Sequence, residues 1–219
     1  LLFRLTKPLA LILPAFFYSF FEIPIVYGLF LQQLFAYWLS AFFLYKIINH
    51  LTQRQDLAYL GMLAFVLCQP VSVYGLAMLI DGLGWCWAIM GIWLSLIVID
   101  SPIQKLMHLL FLGLYLGLGL FIKESVAVAG VFIFYHILLN NNFSWVQKSK
   151  TYFYIGVGFT ISCLLGNYLV YRLWGESLLQ WIEFGHSAPP EFSLIGFIQQ
   201  SYHALDVYWF LVILGVGSF

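Results

Sequence analysis

Asp81, Lys123 and Glu124 each stand at the edge of a long apolar run, where an ionisable side chain needs a reason to be. Such groups are unfavourable at membrane depth unless they line a polar cavity, so they are read first as functional candidates. An ammonium at headgroup depth can hold a phosphate, and a carboxylate beside it can orient the phosphate through a metal, accept a proton, or pin the lysine. A structural reading competes with this one. Lys123 and Glu124 would then mark a solvated turn, and Asp81 would cap a helix starting at Gly82 and complement its dipole. That reading accounts well for Asp81. It accounts less well for a tight turn built without Gly, Pro or Asn, the residues that solvated turns ordinarily use.

A second group of candidates lies between Arg172 and Asp206, where Glu183, His186 and Glu191 flank Pro189-Pro190. Histidine titrates near neutrality and carboxylates can be tuned, so all three can serve as acid or base. Their spacing matches no recognised catalytic set, and solvated loop residues are the competing reading. The segment around them alternates Leu178, Leu179, Trp181 and Ile182 with Glu176, Gln180 and Glu183, an amphipathic pattern suited to a membrane face. His108 and His136 fall inside apolar runs and read as packed, hydrogen-bonded histidines, whereas His50 reads as a loop residue without partners. Cys68, Cys86 and Cys163 sit singly with no C-x-x-C spacing and read as small buried hydrophobes. Spacing neither defines a metal site nor rules one out.

The elements that position these residues follow from composition. Of 219 residues, 63% are apolar or aromatic and 8% are charged. So few charges cannot solvate the outside of a soluble globule, so the chain is a membrane protein. Net charge is zero with no Lys/Arg cluster, which sets nucleic-acid binding aside. The lipid bilayer is the expected partner. A helix needs about 20 apolar residues to cross the hydrocarbon core. Six stretches qualify, namely Ile25 to Tyr45, Leu57 to Gly75, Gly82 to Ile99, Leu106 to Ile122, Ser125 to Leu139 and Tyr152 to Tyr171, and Val207 opens a truncated seventh. Pro8 to Phe21, with Pro14 inside it and a Glu22-Ile-Pro24 break after it, reads as a short interfacial or half-spanning helix. The expected fold is an all-α polytopic bundle in a single domain, cut at both ends.

Leu106 to Leu139 would be about 51 Å long as one helix, well over a hydrocarbon core of about 30 Å. It must turn near Lys123 and Glu124. Loops 46–56, 100–105 and 140–151 carry Lys46, Arg54, Lys105, Lys148 and Lys150, while the intervening loops carry only Lys123 and Arg172. The positive-inside rule makes the first set cytoplasmic and turns Asp81, Lys123 and Glu124 outward. If Pro8 to Phe21 crosses, Arg4 and Lys7 join the cytoplasmic set; if it lies flat outside, the asymmetry weakens. The sequon Asn142-Phe-Ser144 then faces inward and is a coincidence. Gly113, Gly117, Gly119, Gly156 and Gly158 read as close-packing glycines on spans.

Three short pieces carry a family resemblance. Arg4-Leu-Thr-Lys-Pro8-Leu-Ala10, Tyr74-Gly-Leu-Ala-Met-Leu-Ile-Asp81 and Gly117-Leu-Gly-Leu-Phe-Ile-Lys123-Glu124-Ser125 resemble the polytopic GT-C glycosyltransferases, which include protein O-mannosyltransferases and aminoarabinose transferases. The resemblance implies an enzyme of the bacterial inner membrane with its functional face outward. It would transfer a sugar from a polyprenyl-phosphate carrier, the donor substrate, to a lipid, glycan or protein acceptor. It implies that Lys123 and Arg4 hold the donor phosphate, that Glu124 orients Lys123, and that Asp81 completes the polar floor. The general base would lie in a first outer loop upstream of Leu1, leaving this stretch inactive alone. A transporter, or a flippase or polymerase that binds the lipid carrier, is the rival reading. No internal symmetry of paired, interrupted spans speaks for the transporter.

Overall fold

The computed structural model describes residues 8–68, 81–101 and 106–175. All of them belong to the compact unit Leu1–Leu178. They form seven α-helices and no strand: α1 (Ile12–Phe21), α2 (Ile25–Thr52), α3 (Gln55–Leu67), α4 (Asp81–Ile99), α5 (Leu106–Gly119), α6 (Ala127–Leu139) and α7 (Trp145–Trp174). Among the described residues, α2, α4 and α7 are long and apolar enough to cross a membrane, and the others are shorter apolar helices. The chain is an all-α, multi-pass membrane bundle.

Helix ends depart from the hydropathy boundaries where local chemistry overrides charge. The run expected to stop at Tyr45 continues to Thr52, because Lys46 lays its stem on the helix with its ammonium 5.4 Å from the Phe42 ring. Gln53 ends α2 in the left-handed region at φ 55°, its N–H donating to the Asn49 carbonyl. The last helix begins at Trp145 and not Tyr152, because Ser144 and Gln147 form a reciprocal capping box that satisfies two otherwise orphaned donors. Ser144, read above only as the end of a chance sequon, is therefore the N-cap of α7. Between α2 and α3, Arg54 pairs with Asp56, holding the Asp56 carboxyl below its ordinary value chiefly through the side-chain hydrogen bond. The pair is fully exposed and adds little stability.

The first helix settles one open question. At ten residues, α1 is about 15 Å long, half the depth of a hydrocarbon core. Pro14 sits in its first turn, where no N–H is missed, and does not interrupt it. Pro14 lies against Gly28, and Gln32 Nε2 donates to the Ala10 carbonyl at 3.0 Å, so α1 runs antiparallel along the first turns of α2.

Cross-helix contacts give the direction of every other helix. Tyr37 OH donates to the Val66 carbonyl and the rings of Tyr45 and Tyr59 meet at 4.9 Å, which makes α3 antiparallel to α2. The Leu83 N–H donates to Gln33 Oε1, and His50 reaches Asp100, so α2 and α4 run parallel. Trp87 and Tyr115 stack at 4.3 Å and exchange hydrogen bonds: Trp87 Nε1 donates to the Tyr115 carbonyl and Tyr115 OH to the Trp87 carbonyl. This clasp joins α4 to an antiparallel α5. The expected reversal is present, since α5 ends at Gly119, a 3-10 turn covers Glu124–Val126, and α6 returns to place His136 against Asp100.

The closest pairing is α5 with α7, which run parallel. A Cβ on Gly113 would strike the Ile155 carbonyl, one on Gly158 the Leu110 carbonyl, and one on Gly117 would lie 2.8 Å from the Phe159 carbonyl. In a bilayer, where burial of apolar side chains gives no driving force, this backbone approach is what holds two spans together. Gly119 packs under Trp87. Gly156 departs from the expected packing role: nothing lies within 4 Å of where its Cβ would be.

Candidate functional site

At one end of the bundle a carboxylate ties three helices. Asp100, just past α4, accepts from His50 Nε2 at 3.1 Å and from His136 Nε2 at 2.9 Å. His50 is therefore not an unpartnered loop residue but part of the last turn of α2, and its distance along the helix from the apolar centre hid this from the sequence. His136 is hydrogen-bonded, as expected. Nearby, the mostly buried Lys148 donates from Nζ to the Leu138 carbonyl at 2.6 Å and lies 5.1 Å from the Trp145 ring. The three loops grouped by their basic residues thus share one end of the molecule.

Lys123 lies at the opposite end. Its Cβ and Cγ fall beside Gly84, in the first turn of the helix that Asp81 opens, and Ser125 Oγ lies against the same glycine. A Cβ at Gly84 would sit 2.6 Å from the Lys123 Cβ, so this glycine lets the Lys-Glu turn dock onto the start of α4. The structure brings together Lys123, the backbone of Glu124, and the helix start at Asp81. Arg4, Glu183, His186 and Glu191 lie outside the described residues, as do Lys7, Asp206 and the truncated span at Val207.

The same end holds polar side chains that sequence reading passed over. Gln33 is fully buried, with Oε1 capping the Leu83 N–H at 3.0 Å and Nε2 without a hydrogen-bond partner. Ser125 Oγ is likewise buried and unpartnered. An uncompensated buried polar atom costs about 1–3 kcal/mol, so two of them beside one helix start demand an explanation. The Gln32-Gln33 pair within an apolar span was the available signal, because polar residues at membrane depth are rare without a role. Together these groups can donate hydrogen bonds and positive charge toward an anion at a helix N-terminus. Among the described residues no cluster of three or more His, Cys, Asp or Glu is placed to hold a metal.

The family model for dolichyl-phosphate-mannose-protein mannosyltransferase matches residues 7–170, which take in the Lys123 end, the Asp100 tie and the α5–α7 seam. The chain belongs to this family. It is accordingly a membrane glycosyltransferase of the mannosyltransferase type, in agreement with the GT-C resemblance of its three short motifs. No curated protein and no solved structure matched the chain.

Proposed function

We propose that this chain takes a sugar from a polyprenyl-phosphate carrier at the outer face of a bacterial inner membrane and passes it to a lipid, glycan or protein acceptor. The observation that carries the reading is the seating of Lys123 on Gly84, at the start of the helix that Asp81 opens. In the transfer, the acceptor oxygen attacks the anomeric carbon as the bond from that carbon to the phosphate oxygen breaks. The phosphate leaves with the electron pair, and the acceptor proton passes to a base. Charge builds on the departing phosphate, where a preorganised cation and hydrogen-bond donors are worth most. Lys123 supplies the cation, Gln33 Nε2 and Ser125 Oγ, buried without hydrogen-bond partners near the start of α4, supply donors, and Arg4 is assigned to the same phosphate by the resemblance.

Asp81, at the first residue of α4, and Glu124, in the turn after Lys123, are assigned to orient Lys123 or to take the proton. Glu183, His186 and Glu191 stay candidates for acid or base work, and the resemblance assigns the general base to the first large outer loop of such enzymes. Lys123→Ala in the complete enzyme is expected to cut sugar transfer by roughly a hundredfold or more while membrane insertion is kept, with Lys123→Arg restoring part of it. Transfer from a polyprenyl-phosphate mannose by reconstituted enzyme measures this, and near-normal turnover by Lys123→Ala overturns the assignment.

A further inference from the structure

The first turn of α4 is bonded from another helix. A helix start leaves its first N–H groups without intrahelical partners, and Ile80, the residue before Asp81 in the sequence, has no side-chain acceptor to offer them. One of these groups, the Leu83 N–H, donates instead to Oε1 of the buried Gln33 on α2. The neighbouring Gln32 donates from Nε2 to the Ala10 carbonyl at 3.0 Å. Successive residues point about 100° apart around a helix, so one dipeptide of α2 reaches two separate segments. These are the segments of the first two motifs, which end at Ala10 and at Asp81. The third motif joins them one residue further on, because Gly84 follows Leu83 and takes the stem of Lys123 and the Ser125 hydroxyl.

We propose that Gln33 is a positioning residue for sugar transfer, its Oε1 holding the first turn of α4 so that the Gly84 seat keeps Lys123 in place, a role that rests on the function proposed above. A serine or aspartate within the segment would satisfy the Leu83 N–H equally well, but it would leave the turn free to shift against the bundle. A cap supplied by α2 fixes the turn to a helix long enough to cross the membrane. The amide also divides its work: the Leu83 bond occupies Oε1 and sets the plane of the group, while Nε2 stays uncommitted. Misplacing a catalytic group by about 1 Å can slow a reaction by about a hundredfold. Loss of the cap therefore acts on transfer through Lys123, beyond the loss of the Nε2 donor itself.

Two variants of similar length separate the cap from the donor. Gln33→Glu and Gln33→Met both remove the amide, but Gln33→Glu keeps an oxygen able to accept from Leu83 and Gln33→Met does not. The complete enzyme, reconstituted in phospholipid vesicles, is assayed with a polyprenyl-phosphate mannose, and amide hydrogen exchange is followed at the start of α4. Gln33→Met is expected to have a kcat at least tenfold below that of Gln33→Glu, with faster exchange at Leu83 and Gly84. Equal kcat values, or a lower one for Gln33→Glu, overturn the positioning role even if exchange differs, and leave the transferase reading standing. Failure of the unaltered enzyme to use that donor overturns the transferase reading and the positioning role with it, while exchange still reports on the cap. Gln33→Asn gives a second arm should Gln33→Met fail to fold, since it keeps an amide but draws it back from Leu83. Its kcat is expected to fall at least tenfold below that of the unaltered enzyme, and near-normal turnover overturns the assignment.

Discussion

Asp100 illustrates how one exposed carboxylate can organise a membrane bundle. It receives one histidine from the end of α2 and another from the end of α6, while standing at the end of α4. All three side chains are about one-third exposed or less, so each bond is partly screened and contributes of the order of 1 kcal/mol. Asp100→Asn is expected to lower the unfolding midpoint in detergent by a few degrees, and His50→Ala should then cost much less in that background than in the unaltered protein. Additive losses would show that the histidines act independently of Asp100. The variant should leave sugar transfer intact, since the tie lies at the end away from Lys123. Lys123 itself was legible from sequence because a charge beside apolar runs is conspicuous, whereas Gln33, marked only by the Gln32-Gln33 pair inside an apolar span, shows its cap on the Leu83 N–H only once α2 and α4 are packed together.

At the scale of helices, the two kinds of glycine make opposite predictions. Gly113→Ala and Gly158→Ala put a methyl group into a facing carbonyl and force α5 and α7 apart, at a cost of about 1–3 kcal/mol each. Gly130→Ala meets no atom and gains helix propensity, so it should be neutral or stabilising by up to about 1 kcal/mol. Unfolding of the four proteins side by side in detergent checks the signs, and a Gly130→Ala loss equal to that of Gly113→Ala would mean that the seam is misplaced. The sequence pattern could not separate these classes, since a glycine facing a helix and a glycine facing open space look alike without the partner helix. What it did carry was the reversal near Lys123, because a helix of that length cannot fit a bilayer. Where charge alone was used to end a helix, as at Tyr45, the boundary fell short, because a lysine stem can lie along an apolar span and a capping box can start a helix before its apolar run.

For the whole molecule, the alternation of helix direction and the asymmetry of basic residues are separate arguments that bear on each other. The Asp100 tie groups loops 46–56, 100–105 and 140–151 at one end without reference to charge. By the positive-inside rule that end is proposed to face the cytoplasm. Five basic residues in those loops carry that argument. Single cysteines at Gln53, Asn141 and Glu22, all exposed, read this out in a background where Cys68, Cys86 and Cys163 are replaced. A membrane-impermeant maleimide is expected to label Glu22→Cys in intact spheroplasts, and Gln53→Cys and Asn141→Cys only in inverted vesicles. Labelling of all three with the sides exchanged would turn the Lys123 end toward the cytoplasm and remove the outward transfer reaction while leaving the fold as described. Labelling of Gln53→Cys and Asn141→Cys from opposite sides would instead break the Asp100 tie, because no pairing of α2, α4 and α6 through one carboxylate survives if their ends lie across the membrane from each other.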